Sequence, residues 1–228
     1  MPIIKAHNLH RKFGKDDLVT HVLKGIDFEV EQGEFVAIMG KSGAGKSTLM
    51  YQLSVLDEPT EGTVNIDGTE VVNLSESDRT KFRLHTLGYV FQDYALVPDL
   101  SAEENVMIPL LMRGLRWDTA KQQARESIDE VGMAGKYLNL PSELSGGEQQ
   151  RVAIARAVAG KPKILFADEP TANLDSISGT QVIDLIAKLN QEDKQTVVMV
   201  THEREYAMGC DRIFQMEDGL VVNIEKLR

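Results

Sequence analysis

Residues 40–48 read Gly40-Lys41-Ser42-Gly43-Ala44-Gly45-Lys46-Ser47-Thr48 and match the pattern GxxxxGK[ST], a glycine-rich loop that binds phosphate. The loop follows an apolar run at 35–39 that is typical of a buried strand. It precedes residues 49–53, which can continue as a helix. Because a strand, a glycine-rich loop and a helix in this order are the context that the motif requires, we predict a nucleotide-phosphate site here.

The residues of this loop suit a triphosphate and its metal ion. Glycine lets the backbone curl until successive N–H groups point inward, and the helix that starts here favours an anion at its N-terminus. We expect Lys46 to place a positive charge on the phosphates, Ser47 to bind Mg²⁺ through its hydroxyl, and Thr48 to lie by the neighbouring phosphate. The predicted nucleotide-binding residues of the loop are Gly40, Ser42, Gly43, Ala44, Gly45, Lys46, Ser47 and Thr48.

Length and composition describe an ordinary globular protein. The chain has 228 residues, of which 42% are hydrophobic and 26% charged, enough for one α/β domain with or without a small lobe. The formal net charge of -10 disfavours a nucleic-acid partner, which requires a basic surface. The single cysteine, Cys210, is interpreted as a small filler residue. No apolar run approaches a membrane span and no signal-peptide pattern begins the chain, so we expect a cytoplasmic protein.

The hydrophobic pattern predicts an α/β fold. Residues 22–30 alternate between apolar and polar side chains, as antiparallel strands do, and 63–68 alternate up to an Asp-Gly turn signal. The runs at 163–168 and 196–201 are apolar and continuous, which is typical of buried parallel strands. Residues from about 93 to 158 have a mostly helical pattern. We therefore predict one domain over 1–228, with a mixed core sheet, an antiparallel β lobe and an inserted helical lobe.

Two adjacent acids close the apolar run at 163–168. Asp168 stands where a carboxylate can hold Mg²⁺ through a water molecule. Glu169 comes next and can orient the water that attacks a γ-phosphate, or accept its proton. Because a buried strand delivers both carboxylates to one place, we favour a catalytic pair over a solvated turn.

A second anion site is indicated by Leu144-Ser145-Gly146-Gly147-Glu148-Gln149-Gln150-Arg151. Without further context this stretch is only a glycine turn before a helix. As a binding site, it brings the Ser145 hydroxyl, two glycine amides and a helix N-terminus to one anion. One chain cannot easily bring this site onto the nucleotide of its own loop. Two chains arranged head to tail can, each closing the ATP of the other.

With these motifs the sequence resembles the ATP-binding cassette (ABC) ATPases, and the resemblance extends from Phe13 to His202. It implies a P-loop NTPase fold of the ABC-ATPase type, with ATP and Mg²⁺ as cofactors. In that family the residue that matches Phe13 stacks on adenine. The residue that matches Gln92 contacts Mg²⁺ and the attacking water, and the one that matches His202 contacts the γ-phosphate.

Two further family motifs belong to the expected dimer. Residues 144–148 look like the family signature, usually LSGGQ, which contacts the ATP of the partner subunit through Ser145, Gly146, Gly147 and, here, Glu148. Glu148 departs from the usual glutamine. Residues 173–175 look like the D-loop, which places Asp175 at the dimer interface. The resemblance thus implies two more sets of site residues: catalytic Lys46, Gln92, Glu169 and His202, and metal-binding Ser47, Gln92 and Asp168.

Within the ABC ATPases the chain resembles the group of lipoprotein-release (LolD), macrolide-export (MacB) and cell-division (FtsE) ATPases, through 88–92, 102–110, 144–156 and 167–175. The resemblance implies the ATPase subunit of an ABC transporter, working as an ATP-dependent homodimer that drives an integral membrane permease. It also implies a cytoplasmic location, peripheral on the inner face of the cell membrane through that partner, and no nucleic acid.

Two alternatives remain open from the residues. One is a soluble ABC-type ATPase that acts in assembly with no transport role. The other is a nucleotide-binding regulator that never turns over, which the intact Asp168, Glu169 and His202 disfavour. Members that act on DNA usually carry long coiled coils or zinc-bearing insertions, and the interval between the two glycine motifs holds no cysteine and no sustained heptads.

Overall fold

Strands prevail in the first third of the chain and helices in its middle. The structure is a computed structural model that describes residues 2–14 and 19–228. The strands are β1 (Pro2–Phe13), β2 (Thr20–Glu31), β3 (Phe35–Gly40), β4 (Glu61–Ile66), β5 (Thr69–Glu70), β6 (Leu87–Val90), β7 (Ile164–Asp168), β8 (Thr196–Val200), β9 (Arg212–Glu217) and β10 (Leu220–Lys226). The helices are α1 (Lys46–Leu53), α2 (Glu76–Thr86), α3 (Ala102–Met112), α4 (Trp117–Glu130), α5 (Gly146–Val158), α6 (Ser176–Asp193) and α7 (Arg204–Ala207). Among the described helices, none combines the length and apolar character that crossing a membrane requires.

The chain divides into two compact units. The first unit contains the described residues up to Lys81 together with Leu189–Arg228, and the second unit contains Phe82–Lys188. The helical stretch expected at about 93–158 lies within the second unit.

An antiparallel sheet in the first unit has the strand order β2-β1-β4-β5. Along β2 the side chains of Ile26, Phe28 and Val30 are buried while the residues between them are exposed, which is the alternation predicted from the sequence. The β4–β5 hairpin turns at Asp67 and Gly68, whose φ angles of 50° and 78° are both positive, as a type I′ turn requires. The predicted antiparallel strand and Asp-Gly hairpin are therefore confirmed.

A second set of strands in the first unit is mainly parallel. Strand β3 lies between β8 and β9 and is parallel to both, with Ile38 opposite Val200 on one side and Phe214 on the other. Strand β10 returns antiparallel to β9. All of β8 is buried, which explains its uninterrupted apolar sequence. Because β3 and β8 are parallel, the loops that follow them leave the sheet at the same edge.

The second unit contains the parallel pair β6 and β7 and the helices α3, α4 and α5. Ser101 and Glu104 form a capping box at the start of α3. Helix α4 buries Ala120, Ala124 and Ile128, which share one face because they are spaced four residues apart. Strand β6 ends at Val90, and Gln92 lies in the turn that follows it.

Candidate functional site

The glycine-rich loop connects β3 to α1, and its close surroundings explain some of its glycines. A Cβ at Gly40 would lie 2.3 Å from the Met216 carbonyl oxygen, closer than packed atoms approach. Gly45 is the N-cap of α1 and has a φ of 95°, in the left-handed region that side chains disfavour. The first turn of α1 contains no acidic residue. This helix start therefore suits an anion supplied from outside the helix.

Lys46 is the first residue of α1 and is buried, with 7% of its surface exposed. Its Nζ donates a hydrogen bond of 3.1 Å to the Lys41 carbonyl, which holds the ammonium group inside the loop. An ammonium group has three N–H donors, so further donors can serve a phosphate. Ser47 and Thr48 follow in the first turn and are half-buried. The other predicted loop residues are Ala44, which is buried, and Ser42 and Gly43, which are exposed.

Two more predicted residues lie in the first unit. His202 is exposed in the turn after β8, and the N–H of neighbouring Thr201 bonds to the Ile38 carbonyl of β3 at 3.2 Å. His202 therefore leaves the sheet at the edge from which the glycine-rich loop also leaves. Phe13 ends β1 with 43% of its surface exposed, and the Arg11 guanidinium lies 4.4 Å from its ring centroid. The exposed part of this ring is suited to stacking on a flat base.

The two acids stand in the second unit, at the end of β7. Asp168 is 5% exposed and accepts a hydrogen bond of 3.3 Å from the Tyr89 hydroxyl. Glu169 has a φ of 43°, a left-handed backbone conformation that is uncommon for a residue with a long side chain. Such conformations concentrate at functional sites because they aim a side chain where regular structure would not.

Gln92 lies beyond β6, the strand that pairs with β7, so it leaves the pair at the end where Asp168 stands. Its side chain is exposed, and its backbone carbonyl accepts a 3.0 Å hydrogen bond from the Asn173 side-chain amide. The Tyr94 hydroxyl donates to the Asn173 carbonyl at 3.3 Å. Asn173 thereby joins the loop that carries Gln92 to the segment before α6.

The loop after β6 is also bonded to Arg156, a residue that no motif in the sequence marks. Tyr94 and Ala95 both have left-handed backbones, with φ of 62° and 49°. The Arg156 guanidinium, from α5, donates to the Tyr94 carbonyl at 2.8 Å and to the Ala95 carbonyl. Burial lowers the pKa of this guanidinium. A single arginine therefore fixes an otherwise unfavourable turn next to Gln92.

The signature residues form the start of α5. Ser145 is the N-cap, and its hydroxyl accepts a hydrogen bond from the Glu148 N–H at 3.3 Å. The Glu148 carboxylate in turn accepts the Ser145 N–H at 2.9 Å, which completes a capping box and lowers the pKa of that carboxyl. Both glycines are tightly surrounded: a Cβ would lie 2.8 Å from the Tyr94 hydroxyl at Gly146, and 3.0 Å from the Ser178 side chain at Gly147. The glutamate at this position therefore has a local structural role.

Asp175 precedes α6, and its exposed carboxylate organises the start of that helix. It accepts hydrogen bonds from the N–H groups of Ile177 and Ser178, each at 3.0 Å, and from the Ser178 hydroxyl at 2.7 Å. These bonds, led by the one from the Ser178 N–H, lower the pKa of Asp175. Ser178 also packs against Gly147, so the D-loop and the signature start lie together.

The predicted residues thus fall into two groups. In the first unit the glycine-rich loop and His202 share one edge of the sheet. In the second unit Asp168, Glu169 and Gln92 share the end of β6 and β7, while Asp175 lies beside the signature residues. Among the described residues, no cluster of three or more His, Cys, Asp or Glu side chains is arranged to hold a metal ion.

Known proteins match the chain over nearly its whole length. The ABC transporter family profile matches residues 23–172. The lipoprotein-releasing system ATP-binding protein LolD of Aquifex aeolicus is 50% identical over 88% of this chain and 89% of its own. The macrolide export ATP-binding/permease protein MacB of Chlorobium luteolum is 43% identical over 99% of this chain and 34% of its own. The dimeric structure of the ATP-binding cassette MJ0796 in a post-hydrolysis state, bound to ADP and Pi, matches with a TM-score of 0.92 and 41% identity over 99% of each chain.

These matches confirm the family and the group that the motifs indicated, since LolD and MacB are both among the relatives. They also favour a transport role over that of an assembly ATPase. The match to MJ0796 confirms the fold class, with antiparallel and parallel strands in one α/β cassette. The chain therefore belongs to the ABC transporter family, as an ATP-binding cassette that hydrolyses ATP.

Proposed function

We propose that the chain works as a homodimer that encloses two ATP molecules and drives an integral membrane permease of the lipoprotein-release or macrolide-export type. Each ATP would lie between the glycine-rich loop of one subunit and the signature residues Ser145, Gly146, Gly147 and Glu148 of the other. The dimeric structure of MJ0796, bound to ADP and Pi, supports a nucleotide-bound dimer. Helix α5 supports it too, because its N-terminus and the Ser145 hydroxyl suit an anion.

The proposed roles of the remaining residues follow from their chemistry. The loop amides and Lys46 bind the phosphates, and Phe13 stacks on the adenine. Glu169 orients the attacking water or takes its proton, and His202 contacts the γ-phosphate. Asp175 stands at the dimer interface. Loss of the γ-phosphate then removes contacts made only in the closed dimer, which reopens it.

We also propose Mg²⁺ as a cofactor. Mg²⁺ prefers oxygen ligands, and the proposed residues supply a hydroxyl from Ser47, an amide oxygen from Gln92 and a carboxylate from Asp168 that acts through a water molecule. Asp168 is buried at the end of β7, where its carboxylate accepts a hydrogen bond from the Tyr89 hydroxyl. When bound, Mg²⁺ neutralises charge on the phosphate oxygens. The chain's own residues bind the phosphates, position the water and receive its proton.

The names of the relatives support a membrane partner. LolD is the ATP-binding protein of a lipoprotein-releasing system, and the MacB relative joins ATP-binding and permease parts in one protein. We propose that the two units together form one ATP-binding domain and that the helical lobe of α3, α4 and α5 transmits closure to the permease. The protein would then lie in the cytoplasm, peripheral on the inner face of the membrane through the permease, without a nucleic-acid partner.

The observation that carries this proposal is the left-handed Glu169, placed directly after buried Asp168. Glu169→Gln keeps the shape of the side chain but removes its ability to take a proton. We expect ATP hydrolysis to fall by about a hundredfold or more while ATP binding is retained. The variant should therefore accumulate as an ATP-bound dimer, measured by light scattering after size-exclusion chromatography with ATP and Mg²⁺.

The matched control is Glu130→Gln, which makes the same chemical change at an exposed position at the end of α4. It should hydrolyse ATP at the rate of the unmodified protein and show no added dimer. Normal turnover by Glu169→Gln would remove Glu169 from the catalytic role. A slow variant that stays monomeric with ATP would contradict the enclosed dimer.

A further inference from the structure

Glu148 places a negative charge where an anion is proposed to bind. It lies in the first turn of α5, and one carboxylate oxygen accepts the Ser145 N–H at 2.9 Å. An acidic side chain stabilises a helix start, yet the same charge repels a phosphate that approaches that start. A neutral glutamine, the usual residue of the family signature, does not create this conflict. A positive charge close to the Glu148 carboxylate would offset this repulsion.

Lys136 is in position to do so. Its Nζ lies 3.4 Å from the other carboxylate oxygen of Glu148, and 22% of the Glu148 side chain is exposed. The single negative charge of Glu148 is therefore stabilised at both carboxylate oxygens, by a backbone N–H at one and by an ammonium group at the other.

The loop that carries Lys136 holds it in place. The Lys136 N–H bonds to the Met133 carbonyl at 3.0 Å, and the Asn139 N–H bonds to the Lys136 carbonyl at 3.2 Å. The neighbouring Tyr137 carbonyl accepts the Glu103 N–H of α3 at 2.9 Å. Met133 is buried. The backbone of Lys136 is therefore fixed to the helical lobe, and only the side chain has to be ordered for the ion pair.

We propose that Lys136 is a positioning residue for the signature, which keeps the start of α5 attractive to the partner subunit's ATP by neutralising Glu148. This inference rests on the proposed dimer. Loss of the lysine would leave a carboxylate facing a triphosphate and would free that carboxylate to leave the capping box. A partly exposed ion pair contributes little to folding stability. The effect of Lys136 should therefore be seen in ATP-dependent association rather than in stability.

A double-mutant cycle tests the proposal, with every variant made in the Glu169→Gln background. The dimer dissociation constant is measured with ATP and Mg²⁺ by analytical ultracentrifugation. Lys136→Met should raise this constant by about fivefold, the effect of one partly screened charge. The rise should shrink at high salt, because salt screens exposed charges. When Glu148→Gln is also present, Lys136→Met should change the constant by less than about twofold.

The control is Lys161→Met, which removes an equally charged side chain at an exposed position of the same unit. It should leave the dissociation constant unchanged, and the thermal midpoint of Lys136→Met should match that of its parent. The inference would be overturned if Lys136→Met left the dimer dissociation constant unchanged. It would also be overturned if Lys136→Met raised this constant equally with and without Glu148→Gln. Neither result would contradict the proposed dimer. Failure of the Glu169→Gln parent itself to dimerise with ATP would contradict the proposed function instead.

Discussion

The positively charged side chain of Lys46 is buried. Only 7% of its surface is exposed, and its Nζ bonds to the Lys41 carbonyl at 3.1 Å. A buried ammonium group is costly unless it is paired or hydrogen-bonded, and a carbonyl satisfies only one of its three donors. A phosphate would satisfy the rest. The position therefore fits a lysine whose stabilising partner is the nucleotide.

We expect Lys46→Ala to lower ATP hydrolysis by about a hundredfold or more, because it removes a preorganised cation from the developing charge of the transition state. Phosphate release under saturating ATP measures this. The control is Lys41→Ala, which removes an exposed side chain from the same loop but keeps the carbonyl that Lys46 contacts. Unchanged turnover by Lys46→Ala would refute the assignment of this loop as the phosphate-binding site.

Single residues also mark the limit of what the sequence could predict. Asp168 and Glu169 were identified because an apolar run ends at them, which is a local signal. The left-handed φ of Glu169, by contrast, is not indicated by any pattern in the sequence. The role of Glu148 could be suspected from the spacing Ser-x-x-Glu, but its pairing with Lys136 depends on a loop that folds back from an earlier helix.

At the scale of elements, the loop after β6 is joined to two others. Asn173 bonds to the Gln92 carbonyl at 3.0 Å and Tyr94 bonds to the Asn173 carbonyl at 3.3 Å. Arg156 holds the same loop to α5. The proposed water-positioning residue is therefore connected by hydrogen bonds to the D-loop and to the signature helix. We propose that a change at the dimer interface reaches Gln92 through these bonds.

We predict that Asn173→Ala uncouples the Gln92 loop from the D-loop. Loss of a hydrogen bond to a carbonyl costs about 1 kcal/mol, so kcat should fall by about fivefold while the KM for ATP changes little. Asn223→Ala, at an exposed position of β10, is the control and should keep the kcat of the unmodified protein. If Asn173→Ala raised KM instead and left kcat intact, the side chain would act in nucleotide binding and not in coupling.

Elements defined by local chemistry were predictable and those defined by distant contacts were not. The capped start of α3, the buried face of α4 and the Asp-Gly hairpin between β4 and β5 all follow from neighbouring residues. Helix α7 is too short to show a period and was missed. Arg156 was missed because its partners, Tyr94 and Ala95, lie about 60 residues away in sequence, and a contact at that distance has no local signal.

At the scale of the whole molecule, the composition limits the ways in which the chain can reach a membrane. The formal net charge is -10. An acidic protein is repelled by anionic lipid, so electrostatic attachment to the bilayer is disfavoured. The relatives fit this picture, because LolD is named as the ATP-binding protein of a larger system. A protein partner is therefore the route that we propose.

We predict that the tagged protein, purified from detergent-solubilised cells, brings with it a membrane protein that has several transmembrane helices. Recovery should rise with Glu169→Gln and ATP-Mg²⁺, because that variant holds the closed dimer that the permease is proposed to sense. Lys46→Ala, which should bind nucleotide poorly, gives the matched open-state sample. Mass spectrometry of the three samples identifies the partner and compares its yield. Reproducible recovery of soluble partners alone, in all three samples, would contradict a transport role and would favour an ATPase that acts in assembly.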